Sequence, residues 1–125
     1  MKKQEFKKNL FDALNQNIDD MIFEEKILFI EKLLVDYQKD NDSNFDKSNK
    51  GKPWTDAELK IILSDAATKY NCMKYAKLFK RGYGSIEQIY RWSTTSEKEI
   101  TEKGKGDDKF IQQIKRVYKE LGLVS

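Results

Sequence analysis

With 125 residues, 36% of them charged and a formal net charge of only +3, the chain is one compact domain or a small domain with an attached helical segment, and its charge belongs to solvated helix faces rather than a uniformly basic coat. Hydrophobic residues at 38% and aromatics at 12% supply a modest core and argue against disorder throughout. A single cysteine, Cys72, and no histidine exclude an intramolecular disulfide, a Cys/His zinc site and histidine-based acid–base chemistry.

No apolar run reaches the roughly 18 residues that span a bilayer, and no signal-peptide core follows Lys2-Lys3. Arg81-Gly82-Tyr83-Gly84 lacks both common nucleotide-loop patterns. The expectation is a soluble cytoplasmic protein with no membrane contact, no cofactor, no metal and no small-molecule ligand, and no enzyme activity.

Residues 1–39 read as an N-terminal helical segment. Phe6, Leu10, Phe11 and Leu14 recur at helical spacing within Lys3 to Asn15. Asn17 to Asp20 offers N-caps for a second helix. That helix carries a broad stripe of Ile22, Phe23, Ile27, Ile30, Leu33, Leu34 and Tyr37, widened by Leu28 and Phe29. Such a stripe demands burial, either within the chain or against a second copy in a homodimer, and both readings stand. Residues 40–53 are a polar linker with little to bury apart from Phe45, and mobility is expected there.

Residues 54–93 hold three short helices. Thr55-Asp56-Ala57-Glu58 is a T-x-x-E capping box, and Ser85-Ile86-Glu87-Gln88 has the related S-x-x-Q form. The first helix is expected over Thr55 to about Thr68, with Leu59, Ile62, Leu63 and Ala66 on one face. The second runs from about Asn71 to Phe79 and buries Cys72 or Met73 with Tyr75, Ala76 and Phe79. Gly82 and Gly84 are expected to give the following turn its backbone freedom. The third helix runs from Ile86 to about Ser93, with Ile86, Ile89 and Trp92 inward and Glu87, Tyr90 and Arg91 mainly outward. Residues 94–108 form a second linker rich in Glu, Lys and Gly. Asp107 or Asp108 caps a last helix within 109–123, which Gly122-Leu123 ends in a Schellman motif.

Charge is unevenly shared along the chain. Residues 50–93 hold nine Lys or Arg against four Asp or Glu, whereas residues 1–49 hold eight Lys against 11 Asp or Glu. The basic surplus therefore coincides with the tri-helical stretch, the combination expected of a polyanion-binding surface.

Trp54-Thr55-Asp56-Ala57-Glu58-Leu59, Tyr75-Ala76 with Phe79, and Arg91-Trp92 together resemble the Myb/SANT family of tri-helical, helix-turn-helix domains, over about a third of the chain. The middle tryptophan of that family is replaced by Cys72 or Met73. The resemblance implies an all-α fold with Trp54 and Trp92 in the core, alongside Leu59, Ala76, Phe79 and Ile89. It also implies a third helix lying in the DNA major groove, with Glu87, Gln88, Tyr90 and Arg91 approaching bases.

Base chemistry fits those side chains: Arg91 matches guanine, Gln88 adenine and Glu87 the amino group of cytosine. Tyr83 and Ser85 are expected at phosphates, with Lys80 and Arg81 as backbone clamps. The expected function is a non-catalytic, duplex-DNA-binding protein, a small transcriptional or mobile-element regulator. The alternative is a SANT-type interaction module, an adaptor or inhibitor with a protein partner and no DNA binding of its own.

Overall fold

A computed structural model describes residues 1–123. Among them every regular element is helical: α1 Lys3–Leu14, α2 Phe23–Asp40, a 3-10 turn Asp42–Asn44, α3 Asp56–Leu63, α4 Lys69–Phe79, α5 Tyr83–Thr94, α6 Glu97–Glu102 and α7 Lys109–Glu120. No helix among the described residues is long and apolar enough to cross a membrane. The chain divides into two compact units, Met1–Leu34 and Val35–Ser125, and α2 crosses the boundary between them.

In the first unit α1 has no buried residue, and Phe6, Leu10 and Phe11 are exposed. On α2 and at its start, Ile22, Phe23, Leu28, Leu33 and Leu34 are exposed as well. The stretch expected to cap α2 forms a turn instead. Asp19 and Asp20 take left-handed φ of 45° and 57°, a conformation that aspartate tolerates better than most residues, and α2 starts only at Phe23.

In the second unit α5 is the hub, packing against α3, α4 and α7, while α7 also packs on α3. Leu59, Ile62, Met73, Ile86, Ile89, Ile114 and Val117 are essentially sealed from solvent. Ile114 and Val117 close the same core as the central helices, so the C-terminal helix is a full partner in it.

Hydrogen bonds explain the boundaries. The capping box forms at Thr55: its hydroxyl accepts from the Glu58 amide at 3.2 Å, and the Glu58 carboxylate accepts from the Thr55 amide at 2.9 Å. α3 stops at Leu63, before the expected Thr68. Asp65 takes the Ala66 amide at 3.0 Å and the Tyr75 hydroxyl at 2.6 Å, and Thr68 caps α4 by accepting from the Asn71 amide. The bond to Asp65 pushes the Tyr75 phenol up to about 12 and, with the Ala66 amide, holds the Asp65 carboxyl below its ordinary value. Gly122, at φ +78°, ends α7 as a Schellman motif. Its amide donates to Lys119 O at 2.9 Å, and Leu123 donates to Tyr118 O at 3.2 Å.

Both expected linkers are built into the fold. Phe45 packs against the core, Asn49 donates to Lys80 O at 3.2 Å and Phe79 O at 3.0 Å, and Lys52 and Pro53 offer their carbonyls to Arg81. Residues 94–108 contain α6, capped by Ser96 accepting from the Glu99 amide at 3.2 Å, with Ile100 buried.

Candidate nucleic-acid interface

The turn between α4 and α5 differs from the expected glycine hinge. Lys80 takes the left-handed conformation, φ 56°, while Gly82 has φ −73° and serves as the N-cap of α5. The Arg81 amide donates to Ala76 O at 2.9 Å, which closes α4. α5 begins at Tyr83 rather than Ile86, so Ser85 lies inside its first turn and the expected S-x-x-Q capping box does not form.

The inward face of α5 also differs from the expected one. Tyr83, Ile86, Ile89, Tyr90 and Ser93 point into the core. Gly84, Gln88 and Arg91 lie on the opposite ridge at helical spacing, and all three are exposed. Glu87 flanks that ridge, partly exposed, with its carboxylate 3.8 Å from the Arg91 guanidinium. Ser85 and Trp92 flank it on the other side, both partly buried.

Three expected DNA contacts are corrected by burial. Arg81 is 6% exposed. Its guanidinium lies 3.9 Å from the Trp54 ring centre and donates to Lys52 O at 2.6 Å and Pro53 O at 3.3 Å. It is a structural cation, since an arginine stem and fork so engaged cannot swing to a phosphate. Tyr83 is 4% exposed beneath the Lys39 ammonium, and burial pushes its phenol up to about 12. Tyr90 is buried, donates to Ile62 O at 2.8 Å, and burial raises its phenol far above the ordinary value.

Trp54 and Trp92, expected inside, sit at the rim of the core and are only partly buried. Phe79 meets Trp54 edge-on at 5.7 Å and shares that rim position, whereas Leu59, Ala76 and Ile89 are buried as expected. Cys72 is buried, and burial raises its thiol.

The basic surplus read along the chain is partly cancelled in space. Lys60 lies 3.6 Å from Glu120, and Lys69, Lys74 and Lys80 lie 3.8 Å from Asp36, Asp65 and Asp46. Three of those carboxylates come from outside residues 50–93, which is why counting within that window overstates the field. Arg116 likewise belongs to the fold: it grips Asp56 at 2.8 and 3.0 Å and holds that carboxyl down at about 2.

Among the described residues, Lys52, Lys103 and Lys109, three of the cations without a carboxylate partner, lie on the Ser85–Trp92 side of α5. Lys52 and Lys109 line a cavity of about 380 Å³ with Trp54, Arg81, Ser85, Phe110 and Gln113. Lys103 lies 5.6 Å from the Trp92 ring centre. Sequence reasoning misses Lys103 and Lys109 because they follow the basic stretch in the chain and join it only in space. On the other side of α5, Leu63, Asp65, Cys72, Glu87, Arg91, Tyr118 and Leu121 help to line a larger, mostly apolar groove of about 770 Å³.

Among the described residues no group of acidic or cysteine side chains is arranged to hold a metal ion. Asp108, not Asp107, caps α7, accepting from the Ile111 amide at 3.0 Å.

Residues 48–125 match the family model described as the PM1205 C-terminal domain, an uncharacterised protein family. The chain is 51% identical over 125 residues to the protein PM1205 of Pasteurella multocida (strain Pm70), covering 98% of each sequence. No solved structure matches it.

Proposed function

We propose that the chain, which belongs to the PM1205 family, binds duplex DNA in the cytoplasm as a small, non-catalytic transcriptional or mobile-element regulator. In this reading α3, α4 and α5 are a Myb/SANT-like unit with α7 added to its core. α5 enters the major groove by its Gly84–Gln88–Arg91 ridge. Gln88 addresses adenine and Arg91 guanine, while Glu87 holds the Arg91 guanidinium in place between binding events. The absence of a Cβ at Gly84, with no atom within 4 Å of where one would stand, lets the helix backbone approach the groove wall closely.

The observation that carries the reading is the pairing of that polar ridge with cations along one flank that have no carboxylate partner among the described residues. Lys52, Lys103 and Lys109 take over the phosphate role expected of Arg81 and Tyr83. One ridge reads only a few base pairs, so useful affinity calls for two copies. The exposed apolar faces of α1 and the first part of α2 are the natural homodimer contact.

The groove on the opposite flank favours a second reading, a SANT-type interaction module in which apolar groove walls receive a protein segment.

A mobility-shift titration on random duplex DNA at several salt concentrations separates the two. Binding that weakens steeply with salt and falls at least tenfold in the Gln88→Ala/Arg91→Ala double variant supports DNA recognition. No retention of the wild-type chain at low salt overturns it.

A further inference from the structure

We infer that the cavity between the N-terminal turn of α5 and the start of α7 is a phosphate-binding site. It is lined by Lys52 and Lys109 at its edge and by Arg81, Ser85, Trp54 and Gln113. The inference rests on the DNA reading only for the bearer of the phosphate. The site itself follows from charge and geometry.

All the ionised groups lining the cavity are cations. Arg81 is buried, yet its guanidinium is held only by two carbonyls and an indole face, its Nε has no hydrogen-bond partner, and no carboxylate pairs with it. A buried guanidinium without a counter-charge leaves uncompensated positive potential in the wall beside it. Of the carboxylates on the neighbouring elements, Asp56 is committed to Arg116 and Gln113, whereas Asp42 pairs with Lys47 through one oxygen and keeps the other, Oδ1, buried without a hydrogen bond.

Lys109 is the first residue of α7. A cation in the first turn opposes the helix dipole, so its position there does nothing for the helix. The Lys52 ammonium donates to Asn49 Oδ1 at 3.2 Å and has no carboxylate partner among the described residues. The Ser85 hydroxyl has no protein partner among the described residues and adds a neutral donor. The N-terminus of α5 already has the Asp42 carboxylate beside it, with Oδ2 3.8 Å from where a Cβ on Gly82 would stand, so the site is built from side chains and not from that helix end. Two ammonium groups and a hydroxyl, set over the positive potential of a fixed buried guanidinium, fit the tetrahedral oxyanion of a phosphate ester or of free phosphate. In the DNA complex the site would hold one backbone phosphate beside the groove that α5 enters.

The test uses the full chain, labelled with nitrogen-15, and the Lys52→Gln/Lys109→Gln variant. Both substituted residues are exposed, so the variant is expected to keep the amide spectrum of the fold. Titration with inorganic phosphate, against chloride at matched ionic strength, should give saturable shifts at the Trp54 indole, the Ser85 amide and the Gln113 side chain. The variant should lose them. Shifts that do not saturate, or that persist in the variant, overturn the site.

A second arm measures duplex binding against salt. Loss of one phosphate contact should lower the log–log slope by about 0.9, which assigns the phosphate to DNA. Saturable phosphate shifts with an unchanged slope uphold the site and assign it to a free phosphate-bearing molecule. If the wild-type chain fails to bind duplex at all, the DNA reading falls, and the phosphate titration alone decides the site.

Discussion

The Arg81 guanidinium stacks 3.9 Å from the centre of the Trp54 ring while donating to the carbonyls of Lys52 and Pro53. One side chain thereby ties the segment before α3 to the turn before α5. Hydrogen bonds from a charged donor contribute about 1.5–3 kcal/mol each, and a desolvated cation–π contact about 2 kcal/mol. Arg81→Lys, which keeps the charge but loses the planar fork, should lower unfolding free energy by about 2–4 kcal/mol in urea titrations. A change below about 0.5 kcal/mol, the size of an ordinary surface substitution, would show that the stack is incidental.

Asp56 should contribute to the acid limb of stability, beside Asp46 and Asp65, whose carboxyls are also held below their ordinary value. Its hydrogen bonds from Arg116 and Gln113 depress its folded-state pKa from 3.8 to about 2. A depressed carboxyl contributes stability that is fully present above the unfolded value and is lost as pH falls through the folded one. Thermal midpoints should therefore drop between about pH 4 and pH 2, and Asp56→Asn should flatten that drop while lowering the plateau at neutral pH. A variant with the same acid limb as the wild type would refute the assignment.

The two capping boxes written in the chain should respond differently. Thr55→Ala removes a formed cap and should cost about 1 kcal/mol. Ser85→Ala removes a hydroxyl that caps nothing and should stay within about 0.5 kcal/mol. Equal losses from the two would mean that α5 starts at Ile86 after all.

Gly84 lies in the first turn of α5, with no atom within 4 Å of the position that a methyl group on its Cα would take. Gly84→Ala should raise stability by about 0.5–1 kcal/mol, read from the urea midpoint. Destabilisation would contradict the open ridge on which the proposed groove contact depends.

Lys115 is 4% exposed, and its ammonium donates to Ser93 O at 3.1 Å and Thr95 O at 2.8 Å. It thus closes the C-terminal end of α5 from α7, although burial lowers its pKa. Lys115→Met strands those carbonyls and should cost about 1–3 kcal/mol. Hydrogen exchange should quicken at the junction of α5 and α6. Unchanged exchange there would sink the bracing role.

The local devices are legible in the sequence wherever a residue acts on its own neighbours. The Thr55–Glu58 box, the cap at Asp108 and the Gly122 stop all form. So do the apolar spacings that place Leu59, Ile86 and Ile89 inside. The same grammar is present at Ser96-x-x-Glu99, where the charged composition of residues 94–108 conceals α6.

What the chain cannot announce is which long side chains are spent on holding it together. Arg81 and Lys115 look like solvent cations in one dimension, because only the fold brings carbonyls from 20 or more positions away to meet them. The start of α5 is decided in the same way. Burial of Tyr83 and the left-handed turn at Lys80 outweigh a local capping signal at Ser85, and burial of Tyr90 leaves Gly84, Gln88 and Arg91 as the outward ridge. Patterning sets which segments are helical, since that depends on near neighbours. Which charges remain free for a ligand depends on partners that only packing supplies.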